Sequence, residues 1–352
     1  MTAGLPQEDW PAIASVEVIP CALPFRKPYV TARGRLERRE TVLLRVRDSD
    51  GIEGLGEAVP LSLRGGDSLA TVAEQLRGWG KGGGAASLSA PARCAVETAM
   101  LDLRARAQEV PAWRLLGAGE CVPVICNATL TAGEPAAVAT QAKAWAAEGF
   151  GTFKLKVGVD GDDEQVQAVR AAVGEKARIR VDANGAWTRQ AAAEELGAMD
   201  RHGLELAEEP VHGLEELAAL RRTVGVPVAA DESLSDPAAA AEAARTGACD
   251  LCTVKLSKVG GIEAMLEIAA LLPTYLSSAL DGPVGIAAAA HAAQALRSRG
   301  DAGVAHGLAT QRLFAGTVAA VECEIRAGRL RPPDGPGLGV VLDEDALERH
   351  RL

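Results

Sequence analysis

Lys154 and Lys156 stand two apart in the run Thr152-Phe153-Lys154-Leu155-Lys156-Val157. The alternation of charged and apolar residues reads as a short strand. Residues two apart share one face of a strand, so both ammonium groups lie on one side, with Phe153, Leu155 and Val157 on the other. On a solvated face the pair would be inert. Turned inward, each charge opposes the protonation of the other, and burial adds to the effect. One lysine could then act as a base near neutral pH.

Further charged residues fall at the ends of later strands. Lys156 to Asp182 is 26 positions, Asp182 to Glu208 is 26, Glu208 to Asp231 is 23, and Asp231 to Lys255 is 24. That period is about one strand-helix unit, so each residue takes the same place on successive strands. In a (β/α) barrel the C-terminal strand ends carry the active site. Folding would then gather Lys156, the three carboxylates and Lys255 around one mouth, with the lysines on opposite flanks. Taken singly, Asp231 could cap a helix and Glu208-Glu209 could be solvated. As a set, three carboxylates need a compensating charge. A hard divalent ion bound through oxygen provides it. Magnesium suits this best, with manganese as an admissible substitute. Calcium would want more protein oxygens, and zinc would want His or Cys.

The elements that must hold these residues follow from periodicity. Residues 16–20, 40–46 and 52–59 read as strands, and 67–79 and 91–116 as helices, around the flexible run Gly80-Lys81-Gly82-Gly83-Gly84. This is an α+β domain over residues 1–120. From 121 the rhythm becomes strand, helix, strand, helix. Strands are expected at 122–128, 152–157, 177–182, 205–208, 226–231, 251–255, 275–280 and 303–307. Helices are expected at 134–147, 163–173, 189–202, 214–224, 237–246, 262–272 and 283–298. The alternation means parallel strands with crossover helices, and eight strands within 121–320 mean a closed α/β barrel. Residues 321–352 leave that rhythm and are expected to return to the first domain.

A net charge of −10 over 352 residues argues against nucleic acid or an anionic membrane as partner. Hydrophobic content of 48 % with 24 % charged residues is that of a soluble globular protein; with 3 % aromatics, Ala, Leu and Val must fill the core. The seven cysteines (Cys21, Cys94, Cys121, Cys126, Cys249, Cys252, Cys323) are scattered, and Cys249-x-x-Cys252 has no matching second pair. They read as buried thiols in a reducing compartment. No signal-peptide pattern and no membrane-length apolar run is visible, so a cytoplasmic enzyme is expected. A homo-oligomer is compatible with the sequence.

Lys154-Leu155-Lys156, Val181-Asp182-Ala183-Asn184-Gly185, Glu208-Glu209-Pro210, Asp231-Glu232-Ser233 and Lys255-Leu256-Ser257-Lys258-Val259-Gly260-Gly261 together resemble the enolase superfamily, in its muconate-lactonizing subgroup. Ala92-Arg93-Cys94-Ala95-Val96-Glu97 with Asp102-Leu103 looks like that family's capping-domain helix, and Pro336-Gly337-Leu338-Gly339-Val340 like its C-terminal return. The resemblance implies a (β/α)7β modified TIM barrel under an α+β capping domain, with Mg²⁺ held by Asp182, Glu208 and Asp231. It also implies abstraction of the proton α to a carboxylate in a small-molecule substrate. Lys156 would be the base, with Lys154 lowering its pKa, and Lys255 would face the other side as acid/base or as a cation. Asn184 and Glu232 look like residues that orient the ligands, and Lys258 looks structural.

The seventh strand, Tyr275-Leu276-Ser277-Ser278-Ala279-Leu280-Asp281, resembles o-succinylbenzoate synthases, which makes Ser277 and Ser278 candidate substrate contacts; Asn184 is a third candidate. Gly282-Pro283 opens a helix whose N-terminus could receive a second substrate carboxylate. His306-Gly307-Leu308-Ala309-Thr310 also looks synthase-like and lacks the Asp-x-Asp with which dipeptide epimerases hold an ammonium group. The expected reaction is dehydration of 2-succinyl-6-hydroxy-2,4-cyclohexadiene-1-carboxylate to o-succinylbenzoate, a step of menaquinone synthesis. The segment 23–46 looks more like racemases and cycloisomerases, so N-succinylamino acid racemase, dipeptide epimerase and muconate-type cycloisomerase stay open. A non-catalytic ligand-binding barrel is the remote alternative. Loops at 26–31 and 61–66 are expected to close over the substrate and set specificity.

Overall fold

A computed structural model describes residues 11–31, 34–60, 65–84 and 87–352. An antiparallel sheet opens the chain: β1 (Ile13–Thr31), β2 (Gly34–Asp48) and β3 (Glu53–Ala58), in that order. The Asp48 carboxylate accepts from the amides of Asp50 and Ile52 and closes the β2–β3 turn. Two helices follow, α1 (Leu69–Gly80) and α2 (Ala90–Ala107), then the short α3 (Ala112–Leu115). Ser68 caps α1 by accepting from the Thr71 amide at 3.1 Å. Val42, Leu44 and Val46 alternate along β2 and bury against Val72, Leu76, Val96, Met100 and Leu103.

Helix α2 lies so close on β3 that a Cβ at Gly56 would sit 1.9 Å from the Ala95 carbonyl oxygen. Only glycine permits that approach. Gly56→Ala is expected to destabilise the domain by roughly 1–3 kcal/mol, seen as a lower urea midpoint. An unchanged midpoint would show that the helix can retreat at no cost.

The barrel begins after β4 (Val124–Ile125). It runs through β5 (Ala128–Leu130), α4 (Pro135–Ala147), β6 (Thr152–Lys156), α5 (Asp162–Val173), β7 (Arg178–Asp182), α6 (Arg189–Met199), β8 (Leu204–Glu208) and α7 (Leu214–Arg221). It continues through β9 (Val228–Ala230), α8 (Pro237–Thr246), β10 (Leu251–Val254), α9 (Leu256–Val259), α10 (Ile262–Ala269), β11 (Thr274–Leu276) and α11 (Pro283–Leu296). Strands β5 to β11 form one parallel sheet in sequential order. Residues 306–307 close it. The His306 amide donates to the Ile125 carbonyl (2.8 Å) and the Asn127 amide to the His306 carbonyl (2.9 Å), while the Gly307 amide donates to the Leu276 carbonyl (2.8 Å). The architecture is the (β/α)7β modified barrel with a capping α+β domain.

Two local differences have clear causes. The strand expected at 122–128 splits, because β4 pairs antiparallel with Arg329 and Leu330 of the tail and only from Ala128 does the chain join the parallel sheet. Residues 26–31 are not a loop but the end of β1, paired with β2 as far as Thr31↔Gly34. Of the second expected loop, residues 61–64 lie outside the described residues.

The tail forms β12 (Ala319–Val321), β13 (Glu324–Arg326), β14 (Arg329–Arg331), β15 (Val341–Leu342) and α12 (Glu344–His350). The β13–β14 hairpin joins β4, whereas the last residue returns to the cap, its amide donating to the Pro20 carbonyl at 3.0 Å. Buried Asp102 ties the pieces together: it accepts from the amides of Leu55 (2.8 Å) and Leu338 (2.6 Å) and pairs with Arg106. All seven cysteines are free thiols; Cys121 is only half-buried, against the expectation that all would be buried. Among the described residues no helix is long and apolar enough to cross a membrane.

Candidate active site

Parallel register brings the charged strand ends into one row. Lys156 pairs with Asp182 across β6–β7, and Asp182 with Glu208 across β7–β8. Asp231 follows β9 directly, as Lys255 follows β10. Phe153, Leu155 and Val157 pack into the main core, so the two lysines between them turn to the barrel interior. They are buried, at 4 % and 5 % exposure, which removes the reading of a solvated strand face. Asp182, Glu208, Asp231 and Lys255 are buried as well.

The contacts are dense. Lys154 Nζ donates to Glu208 Oε1 at 2.6 Å and lies 2.8 Å from Asp182 Oδ2. Lys156 Nζ donates to the same Asp182 oxygen at 2.5 Å and to Asn184 Oδ1 at 3.1 Å. Lys255 donates to Asp231 Oδ2. Lys258 donates to Asp231 Oδ1 at 2.8 Å and to the Asp231 carbonyl. Lys258, expected to be merely structural, therefore holds the other oxygen of the carboxylate that Lys255 touches.

Among the described residues no three carboxylates already converge as a cation cage; lysine ammonium groups lie between them. The donor set nonetheless fits a hard divalent ion. It is all oxygen and buried, it lies on three successive strand ends, and cationic charge already stands at each carboxylate. Asp182, Glu208 and Asp231 would hold the ion.

Burial, and less strongly Lys154, push the Lys156 pKa down as expected, but Asp182 and the other anionic neighbours, Glu208 among them, together outweigh them, and the group is raised above its ordinary value. Lys154, beside both Asp182 and Glu208, is raised further still against its own burial. Burial would raise Asp182, yet the two lysines hold it below the usual carboxylate range.

Supporting residues surround this row. Asn184, in a left-handed conformation at φ 49°, donates from its backbone amide to Asp182 Oδ1 (3.0 Å) and from Nδ2 to Glu232 Oε1 (3.0 Å). Its side-chain amide thus bridges Lys156 and Glu232, the orienting arrangement also expected of it. Glu209, which had no role of its own in the sequence pattern, is fully buried. It accepts from the amides of Asp231 and Ser233, both at 2.8 Å, and so fixes the backbone that presents Asp231. Burial, then the Glu232 charge, push Glu209 up to about 8. The identical neighbours in Glu208-Glu209-Pro210 gave no hint that both would point inward.

Of the candidate substrate serines, Ser277 lies against Gly307, whose Cβ would stand 2.6 Å from the Ser277 hydroxyl. Ser278 is engaged in a turn, donating to Asp281 Oδ2 at 2.7 Å and accepting from the Asp281 amide at 2.8 Å. Tyr29 of β1 is buried in a stack with Phe25, 5.6 Å between ring centres. It is near enough to Lys156 to raise that lysine's proton affinity, so the cap reaches the site through a strand.

The N-terminus of α11, expected to receive a substrate carboxylate, is already filled. Glu57 from β3 accepts from the amides of Gly282 (2.8 Å) and Gly285 (2.9 Å). Glu97 of α2 does the same for α10, at the amides of Ile262 and Glu263. Each cap carboxylate complements a barrel-helix N-terminus.

Burial, then Asp281, push Glu57 from 4.5 up to about 7, although the Gly285 and Gly282 amides and Thr41 pull the other way. Because the folded pKa is the higher one, the stability Glu57 contributes is full below pH 4.5 and is lost as pH rises through about 7. Glu57→Gln removes that dependence. The wild type should therefore lose ground to the variant by on the order of 1.4 kcal/mol per pH unit as pH rises between those limits, in urea titrations run from pH 5 to 8. A gap that stays constant with pH would refute the titration of Glu57.

Two family descriptions match the chain. The N-terminal domain of mandelate racemase / muconate lactonizing enzyme matches residues 13–117, and an enolase C-terminal domain-like family matches 137–346. Muconate cycloisomerase 1 of Rhodococcus opacus is 30 % identical, covering 96 % of this chain and 98 % of its own length. The muconate lactonizing enzyme of Pseudomonas fluorescens, solved with muconolactone, superposes with a TM-score of 0.90 at 29 % identity, covering 97 % of this chain and all of its own. A dipeptide epimerase of Enterococcus faecalis, solved with Mg and the dipeptide L-Leu-L-Tyr, gives a TM-score of 0.88 at 27 % identity, covering 94 % of this chain and 99 % of its own. The chain belongs to the enolase superfamily, in its muconate-lactonizing subgroup, whose members abstract a proton next to a carboxylate.

Proposed function

We propose that this protein removes the α-proton of a non-amino carboxylate, and that the reaction is dehydration of 2-succinyl-6-hydroxy-2,4-cyclohexadiene-1-carboxylate to o-succinylbenzoate. The observation that carries the reading is the buried row from Lys156 to Lys255 at one barrel mouth. Mg²⁺, or Mn²⁺ in its place, is the cofactor held by Asp182, Glu208 and Asp231, as a Mg-bound relative of the same fold suggests. Bound there, the ion supplies positive charge to an enediolate. Lys156 takes the α-proton; the C–O bond to the ring hydroxyl then breaks, and the proton leaves with it as water from the same face. Lys255, on the opposite flank, stabilises the negative charge. Asn184 orients Lys156, and Lys258 with Glu209 fixes Asp231.

The choice of substrate class rests on the segment that closes the barrel. Residues 302–313 contain no Asp or Glu, and the His306 ring turns inward to accept from the Leu276 amide at 3.0 Å. A dipeptide's ammonium group would find no carboxylate there. The likeness of the seventh strand to o-succinylbenzoate synthases supports the dehydration. A cycloisomerase or racemase reading is the second one, favoured by the near full-length match to a muconate cycloisomerase and by a lysine on each flank.

Incubation with Mg²⁺ in D₂O separates these readings, using the cyclohexadiene acid, cis,cis-muconate, N-succinylamino acids and dipeptides. Formation of o-succinylbenzoate is the expected outcome. Deuterium exchange into N-succinylamino acids, or lactonization of muconate, without dehydration would move the assignment to isomerase. Silence with every acid would defeat the enzymatic reading.

A further inference from the structure

Tyr275 is one of two tyrosines in the chain and is fully buried. It stands on β11, yet its hydroxyl donates to Glu208 Oε2 at 2.6 Å. Two strands, β10 and β9, lie between β11 and β8 in the sheet, so this bond crosses the barrel interior. Its ring is seated in a small apolar layer with Leu206, Ala229 and Leu251, separate from the main core. The Arg180 guanidinium stands 5.1 Å from the ring centre. Arg180 is itself pinned, donating to Glu205 Oε2 at 2.5 Å and to the Ala305 carbonyl at 2.7 Å. The seat is rigid, and only the hydroxyl leaves the apolar layer.

We propose that Tyr275 is the positioning residue for Glu208, fixing its carboxylate for a divalent cation shared with Asp182 and Asp231. This rests on the metal reading above. Glu208 has three side-chain torsions and would otherwise choose among several directions. With Oε2 held from below by Tyr275, Oε1 is left at the mouth, where Lys154 now meets it. Outer hydrogen bonds of this kind orient metal-binding carboxylates, and their loss weakens metal binding about 10–100-fold. A phenylalanine would fill the apolar layer and keep its face toward Arg180, so the hydroxyl is not needed for packing. Its use is the carboxylate.

The test is Mn²⁺ binding to the whole protein, followed by electron paramagnetic resonance of the free ion. Tyr275→Phe is expected to raise the Mn²⁺ Kd at least about tenfold, with little change in the thermal midpoint measured in EDTA. Glu208→Gln should weaken binding more, and adding Tyr275→Phe to it should cost nothing further, because the tyrosine acts through that carboxylate. Unchanged affinity in Tyr275→Phe overturns this proposal while leaving the metal site intact. So does an effect that adds in full to that of Glu208→Gln. A wild-type protein that takes up no Mn²⁺ overturns the metal site itself, and the role of Tyr275 with it.

Discussion

Replacing Lys156 by alanine is expected to lower turnover by on the order of 10³-fold or more, and to stop exchange of the substrate α-proton with solvent. Lys156 ends β6 in register with Asp182, and its amine is buried within reach of only a few partners, Asp182 and Asn184. The fold should survive the change. Asp182 keeps Lys154 at 2.8 Å, so no carboxylate is left alone in the interior, which is the costly outcome when one half of a buried pair is deleted. A near-native circular dichroism spectrum and a cooperative melt would establish this.

Lys156→Arg sharpens the test. A guanidinium keeps the positive charge beside Asp182 but does not give up its proton near neutral pH. If Lys156 serves as the base, arginine should be as inactive as alanine. If it serves only as a counter-charge, arginine should rescue most of the rate. Substantial activity in Lys156→Arg would remove this lysine from the role of base. The raised affinity of Lys156 for its proton here has Asp182 as its largest favourable contribution, against burial. Once that carboxylate's charge is shared with a divalent ion, burial and Lys154 remain to pull the amine toward neutrality. Lys154→Ala should accordingly shift the acidic limb of the rate profile to higher pH.

What the sequence could carry depended on how local the cause was. Asp182, Glu208 and Asp231 could be aligned before folding, because one strand-helix unit recurs between them and each ends its strand. The barrel class followed from the same recurrence. Strand β4 could not be separated from β5 by pattern, since its partner β14 lies some two hundred positions later. Glu57 reads as an ordinary strand residue until the chain folds and sets it on the N-terminus of α11, 225 positions away. That contact also closes the place assigned to a substrate carboxylate. Tyr275 looked like part of a substrate-facing strand, and its bond to Glu208 exists only because the sheet curls enough to bring β11 across from β8, three strands away. For the Lys154/Lys156 pair, like-charge repulsion was visible in the sequence and does act downward on Lys156, whereas the carboxylates that offset it come from strands 26 and more positions away.

Replacing Lys255 by alanine should separate the two sides of the site. Lys255 follows β10, three strands from β7 and four from β6 in the sheet, and it meets Asp231 rather than Asp182. In a dehydration that uses one face, Lys255 only stabilises developing negative charge, and losing it should cost on the order of 10²–10³-fold in turnover. Lys156 would still bring slow α-deuteration of the substrate in D₂O. In an epimerase or racemase the second lysine returns the proton to the other face, and the same variant should exchange one enantiomer while never forming the other. The fold should tolerate the change, because Lys258 remains on Asp231 Oδ1 at 2.8 Å. Slow dehydration with retained exchange supports the single-face reaction. Stereospecific exchange with no dehydration by either protein would mean that the two lysines work as opposed acid and base, and that the o-succinylbenzoate assignment is wrong.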